Sequence, residues 1–429
     1  MFATISNILK VEDLRSKIVF TLLMLVVFRI GTFIPVPFVN AEVLTFQDSY
    51  NALALFNTFG GGALQNFSIF AMGIIPYITA SIIVQLLTMD VVPKFVEWAR
   101  EGEAGKRKLA QVTRYLTVIL AFVQGIAMSV GFNNLMPGLV QNPNVGTYLF
   151  IATILTAGTA FLMWLGEQIT EKGIGNGISI LIFAGIVAGI PIAANQLYAQ
   201  WFVDSPDPIF LSILKVVLVL LVIIAITVGV IFILNGLRKI PVQYAKRVVG
   251  RKMYGGQSTH IPLKVNAAGV IPVIFAMSLM MFPVTIAQFW AGNTVADWII
   301  RNFSIQSIAP LGMFFYAILI IGFTYFYTFV QINPLQMAEN MKKNGGYIPG
   351  IRPGKTTAVY LTRILNRITL TGAIFLAGIS ILPLFFSNQL PASVTIGGTA
   401  LLIVVGVALD TMKQINSQLI KRHYQGFIK

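Results

Sequence analysis

The stretch from Asn57 to Met89, NTFGGGALQNFSIFAMGIIPYITASIIVQLLTM, constrains this chain more than any other. It is apolar enough to enter a bilayer, yet it cannot cross one as a single helix. A spanning helix needs roughly 20 consecutive apolar residues. Here Gly60-Gly61-Gly62 interrupts the run at its head, and Gly73 and Pro76 break it in the middle. That leaves a half-length apolar piece, Ala63 to Ala71, followed by a nearly full-length helix, Ile74 to Met89. Lipid offers no hydrogen bonds, so non-helical backbone at membrane depth survives only where protein or a water-filled cavity surrounds it. Broken apolar segments of this kind point to a central site. The stretch is therefore expected to line a pore; a re-entrant turn of purely structural use is the other reading.

The rest of the composition places that stretch in a polytopic membrane protein. Of 429 residues, 56% are hydrophobic and 10% charged, with a mean hydropathy of +0.80; soluble domains carry about 25% charge. With no cysteine there are no disulfides, thiolate metal sites or thiol catalysis. His260 and His423 lie in polar stretches, and no His, Asp and Glu cluster has metal-ligand spacing. Neither a metal, a cofactor nor an enzymatic centre is expected.

A short amphipathic segment, 1–17, carries no cleavage-site pattern after it. Ten spans are then expected: Ile18–Ile34, Ile74–Met89, Tyr115–Leu135, Tyr148–Gly166, Ile178–Asn195, Ile209–Leu234, Ala267–Trp290, Ile308–Val330, Ile368–Ser387 and Ile396–Met412. Asp90 to Arg114 reads as a polar loop. Arg29, inside the first span, is a functional candidate by default, but its place near the outer end favours snorkelling or helix pairing.

Ten spans put both termini on one side of the membrane. With the N-terminus cytoplasmic, all of the 30 Lys and Arg except Arg29, Lys215 and Arg301 fall on the cytoplasmic side, so the net charge of +15 reflects orientation. The outer loop 196–208 separates two five-span halves, 18–195 and 209–412, with a cytoplasmic tail 413–429. An inverted repeat is suspected from that plan alone.

Two cytoplasmic loops, 235–266 and 331–367, are far longer than orientation requires, and long loops in compact proteins are usually functional. Alternation over Ile240–Tyr244 and a Tyr254-Gly255-Gly256 turn suggest a projecting hairpin. Their charge suits an anionic lipid surface or a docking platform for a large partner. Gly350–Thr356 fails as a phosphate-binding loop, because the required first glycine falls on Pro349. Gly173 to Gly177 is a tight turn opening the fifth span.

The spans hold no charge at their centres: Glu167, Glu171 and Asp410 lie at helix ends. Gln85 and Gln124 are the polar exceptions; they either glue helices together or mark a seam that opens. Ile74 with Ile78, and Ile182 with Ile186, have the i, i+4 spacing of one helix face. Packed or lipid-facing isoleucines are one reading, and a pore closed by dewetting is the other.

The stretches GIIPYITASIIVQLL (73–87), GIGNGISI (173–180), YAKR and QSTHIPLKVN (244–247 and 257–266), AGVIPVIFA (268–276) and GGYIPGIRPGKTT (345–357) closely resemble the bacterial SecY family, the channel subunit of the Sec translocon. The resemblance covers essentially the whole chain. It implies an all-α polytopic membrane protein of ten transmembrane helices, in two pseudo-symmetric five-helix halves around a central hourglass pore. It implies a plug at about 58–72, with Gly60, Gly61 and Gly62 as its hinge and Leu64, Phe67, Ile69 and Phe70 in its body. By motif position the apolar pore ring falls on Ile74, Ile78, Ile182, Ile186, Ile274 and Ile403, the last resting on the short stretch GGTALLIVV. A lateral gate is implied between the second and third spans and the seventh and eighth, with Gln85 and Gln124 along it.

The family would receive the motor ATPase SecA and the ribosome on the two basic loops, at Arg247, Arg251, Lys252, Arg352 and Lys355. SecE and SecG subunits, signal peptides, unfolded secretory or membrane polypeptides and the phospholipid bilayer are the other implied partners. The location implied is a bacterial plasma membrane, and the channel itself would hydrolyse nothing. A secondary transporter for a small solute is the competing function; it predicts buried charges and a binding pocket.

Overall fold

The computed structural model describes residues 11–40, 57, 60–88, 92–203, 208–244, 247–249, 252–254, 258–287, 293–303, 309–385 and 397–425. A helix occupies each expected span: α1 Glu12–Gly31, α2 Ile75–Leu87, then, after the short α3 Pro93–Arg100, α4 Glu103–Leu135, α5 Val145–Lys172, α6 Gly177–Tyr198 and α7 Ile209–Asn235. The second part holds α8 Ile271–Ala287, the short α9 Thr294–Phe303, α10 Pro310–Gln331, α11 Pro334–Lys343, α12 Lys355–Phe385 and α13 Gly397–Gln425. Of these, α4, α5, α6, α7, α10, α12 and α13 are long and apolar enough to cross a bilayer by length and composition. By contrast α1 carries Arg15, Lys17 and Arg29, and α8 has 17 residues. With 13 residues, α2 is about 20 Å long and cannot span alone.

The expected half-length piece is not helical. Residues 60–74 run as successive turns, and α2 begins only at Ile75. Gly73 takes the left-handed conformation at φ 58, which an L side chain resists, and so re-aims the chain into α2. Pro76 lies in the first turn of α2, where a missing N–H costs nothing. It therefore starts the helix rather than breaking it.

Several polar stretches read as loops are helical. Most of Asp90–Arg114 is α3 and the first turns of α4, reversing at Gly102 (φ 73). The charges responsible form exposed pairs, Lys106–Glu103 at 3.0 Å and Lys108–Glu101 at 2.9 Å. Similarly α12 starts at Lys355 and α13 runs on to Gln425. Hydrophobicity marks only the part of a helix that lipid touches, whereas Lys, Arg, Glu and Gln are good helix formers beyond it.

The loop 235–266 is a β-hairpin. Strand β1 Leu237–Tyr244 pairs antiparallel with β4 Ser258–Lys264, Ile240 opposite Ile261, and the tip carries a second pair, β2 Arg247–Val249 with β3 Lys252–Tyr254. Val249 pairs with Lys252; Gly255 and Gly256 of the expected Tyr254-Gly255-Gly256 turn lie outside the described residues. Strand β5 Gly346–Tyr347 adds to the far edge of β1. The two basic loops thus form one body with its own core of Ile240, Val242, Leu263, Met341, Ile348 and Leu361. Helix α11 within it is capped by Asn333, whose carbonyl oxygen accepts from the N–H of Leu335 at 3.0 Å.

Candidate functional site

Residues 60–74 are folded into the wall of the first half. The backbone of residues 34–36, just past α1, pairs with the segment: Val36 N–H donates to Phe67 O and Ile69 N–H to Ile34 O, each at 3.0 Å. Ala63, Leu64, Phe67 and Phe70 are buried. Phe67 meets Phe132 of α4 edge to face, with centroids 6.0 Å apart. Phe70 stacks between Phe28 of α1 and Phe161 of α5, at 6.2 and 5.9 Å. Thr159 Oγ1 donates to Gly73 O at 3.3 Å. Phe67 itself sits at φ 38, a conformation costing about 1–3 kcal/mol that persists only where its surroundings impose it.

Beside this segment lies the largest apolar cluster. Ile74, Ile78, Ile182, Ile186, Ile274 and Ile403 all belong to it and are all buried. They come from the start of α2 and from α6, α8 and α13, so both halves contribute. Ile78 N–H donates to Ile74 O at 3.1 Å, which keeps that pair on one face although Ile74 precedes the helix. Ala63 and Phe70 of the turn segment belong to the same cluster.

The cluster also borders a cavity of about 390 Å³ lined by Asn176, Lys264, Asn266, Tyr327, Asp410 and Lys413 among others. Val270 and Val407 line the cavity and belong to the same apolar cluster as the isoleucines. Asn176, singled out in the turn before α6, is the N-cap of that helix and accepts from Ile178 N–H at 3.1 Å. The apolar cluster thus includes residues of the turn segment, Ala63 and Phe70, and residues that line the polar cavity, Val270 and Val407.

The polar groups of the bundle are mostly satisfied locally. Thr117, Thr156 and Thr324 donate to carbonyls four residues back, at 2.7, 2.7 and 2.6 Å. Among the described residues no Asp, Glu, Lys, Arg or His is buried.

The two halves meet at two places: α2 and α4 against α8, and α6 against α13. Gln85 lies on α2, its Nε2 reaching Ser81 Oγ at 3.4 Å while its Oε1 is buried with no partner among the described residues. Gln124 is half-buried on α4. At the body formed by the two basic loops, Arg352 and Lys355 are exposed at the turn opening α12, where Thr357 Oγ1 donates to Arg352 O at 2.9 Å. Arg247 and Lys252 lie on the paired tip strands β2 and β3, and Arg251 lies outside the described residues.

For Arg29, named in the sequence as a functional candidate by default, snorkelling or helix pairing is the favoured reading. Its guanidinium does not turn away: it donates to the carbonyl of Gly61, at the head of the turn segment, and lies 4.6 Å from the Phe33 ring centroid. A charge in a span is the signal that named it.

Comparison with known proteins gives a consistent result. The SecY family model matches residues 68–412. Over 432 residues the chain is 67% identical to the protein translocase subunit SecY of Halalkalibacterium halodurans and 62% identical to that of Bacillus subtilis, with all of both chains covered in each case. Among solved structures it resembles one described as a protein conducting channel, with a TM-score of 0.62 at 18% identity, covering 95% of this chain and 93% of that one. It also resembles Sec61 in the canine ribosome-channel complex, with a TM-score of 0.58 at 17% identity and the same coverage.

Proposed function

The chain belongs to the SecY family, and from that premise we propose that it is a protein-conducting channel. It passes unfolded secretory polypeptides across the membrane and releases hydrophobic segments sideways into it. The observation that supports this reading is the one buried cluster in which Ile74, Ile78, Ile182, Ile186, Ile274 and Ile403, drawn from both halves, gather with Ala63 and Phe70 of the turn segment.

An unfolded polypeptide has no single size or charge, so a binding site would be useless to it. A ring of isoleucines excludes water when nothing passes and adheres weakly to whatever does. On this reading Ile74, Ile78, Ile182, Ile186, Ile274 and Ile403 form the ring, and residues 58–72 are a plug that must leave before transport. The α2 and α4 contact with α8 is the lateral gate, with Gln85 and Gln124 beside it. An apolar signal helix leaves there because lipid solvates it better than the aqueous pore does. The two halves, 18–195 and 209–412, open like a clamshell about the 196–208 loop.

The competing small-solute transporter requires buried charges for coupling, and the lack of any buried Asp, Glu, Lys, Arg or His among the described residues weighs against it. A channel performs no chemistry of its own, so ATP hydrolysis falls to SecA. SecA and the ribosome dock on the cytoplasmic body, through Arg247, Arg251, Lys252, Arg352 and Lys355; contact with ribosomal RNA follows from phosphate electrostatics. SecE and SecG complete the translocon, in a bacterial plasma membrane with both termini cytoplasmic.

The test is reconstitution of the chain, as its complex with SecE and SecG, into vesicles with SecA, ATP and an unfolded precursor. ATP-dependent protection of the precursor from added protease is expected. No protection, together with saturable counterflow of a small solute, would replace this reading with the transporter.

A further inference from the structure

Arg29 lies in the last turn of α1, where an arginine usually turns toward the membrane interface. Its guanidinium instead donates to the backbone carbonyl of Gly61. Arg29 makes no ion pair among the described residues. A charged donor on a carbonyl is a strong hydrogen bond, and the low dielectric around it strengthens it further. The acceptor is presented in a way other residues could not match. Gly61 has φ 66, and a Cβ there would lie 3.2 Å from the Cα of Gly185 on α6.

The same turn of α1 also grips the other end of the segment. Phe28 stacks on Phe70, and Gly31 is so close to that ring that a Cβ would lie 1.9 Å from Phe70 Cε2. One helical turn therefore holds the turn segment at its head and at its tail.

We propose that Arg29 is a positioning residue for channel closure: its guanidinium latches the Gly61 carbonyl, and the segment cannot leave the wall until that bond breaks. The proposal rests on the reading of residues 58–72 as the plug. Arginine suits the task because its fork donates to the carbonyl while its plane lies against the Phe33 ring; a lysine keeps the charge but cannot do both.

The experiment is resting ion conductance of the full translocon in planar bilayers. The samples are wild type, Arg29→Met, Arg29→Lys and a chain lacking residues 58–72. A fourth variant joins Arg29→Met to Pro35→Cys and Ser68→Cys. Pro35 and Ser68 are bridge partners, close enough for a disulfide to pin the segment. Arg29→Met and Arg29→Lys should both raise the open-to-closed ratio by about tenfold or more, as loss of a charged hydrogen bond implies. Oxidation of the cysteine pair should return the leak to the wild-type level and reduction should release it, which a merely misfolded chain would not do.

A tight Arg29→Lys beside a leaky Arg29→Met would reduce the residue to an interfacial charge and overturn the latch. A leak that persists after oxidation would overturn it too. A leaky deletion beside a tight Arg29→Met would overturn the latch and leave the plug standing. A deletion as tight as wild type would remove the plug reading, and the latch with it.

Discussion

A methyl group at Gly158 would lie 1.9 Å from the carbonyl oxygen of Ile69, so Gly158→Ala must bend α5 or push the turn segment off it. Overpacking of this kind costs about 1–3 kcal/mol. The expected outcome is a lower midpoint of thermal unfolding in detergent and a higher resting ion conductance; unchanged values for both would mean the segment is not held at Ile69. Phe70→Ala makes the complementary test. Removing a buried phenylalanine costs about 3–5 kcal/mol, and this one is stacked between Phe28 and Phe161. If residues 58–72 are the plug, the variant should leak at rest while still transporting precursor, because Phe70 would then close the path rather than form it. Gly158 was not distinguishable in the sequence, where it is one small residue among TAGTA, and Phe70 was singled out only by the family resemblance, not by its spacing. Their partners are distant in sequence, and spacing reads only local neighbours. The isoleucines were legible as pairs on one face, but which face is inward came from a family resemblance and not from physics.

Among the elements, the broken stretch after Gly60 was legible because glycine and proline in an apolar run have few uses in a membrane. Its conformation was not: tertiary hydrogen bonds with residues 34–36 hold it as turns, where local composition gave only a half-length apolar piece. The helices that outrun their apolar stretches, α4, α12 and α13, were cut short in the sequence reading for the reason given above, that lipid contact and helix extent are different quantities. The two cytoplasmic loops read as separate projections, because strand pairing between β1 and β5 joins residues about a hundred positions apart. Their shared core has a consequence for both. Leu361 is fully buried in it, and Leu361→Ala should cost about 2–5 kcal/mol. Limited trypsin digestion of that variant in membranes should then cut after Lys264 in β4 and Lys343 in α11 together, both held in regular structure in the folded body. Exposure of one site alone would mean that the loops fold independently.

At the scale of the molecule, hydropathy was enough to place the apolar segments, since a helix stands at each of the ten expected spans. Seven of these helices are long and apolar enough to cross a bilayer; the orientation read from charge belongs to the proposed reading. Spacing and hydropathy could not give how the halves meet: the contact of α2 and α4 with α8 was expected only from the family resemblance, and α6 against α13 is a contact between distant segments that was not read at all. That meeting creates the site: neither half alone supplies Ile78, Ile186, Ile274 and Ile403 to one cluster. The account also separates docking from closure. Arg352 is exposed at the start of α12, away from the turn segment, so Arg352→Ala should slow SecA-driven transport severalfold while leaving the resting conductance unchanged; a leak would contradict that separation. The central claim is that the polypeptide passes through the isoleucine layer, and the absence of native cysteine makes it directly measurable. Ile78→Cys and Ile186→Cys, in separate variants, would each be tested for a disulfide to a single-cysteine precursor stalled during SecA-driven transport, with Leu221→Cys on the exposed surface of α7 as the control. The account predicts crosslinks from both isoleucine positions and none from the control. Active transport with no crosslink at either position would move the path elsewhere and leave the isoleucines as ordinary packing.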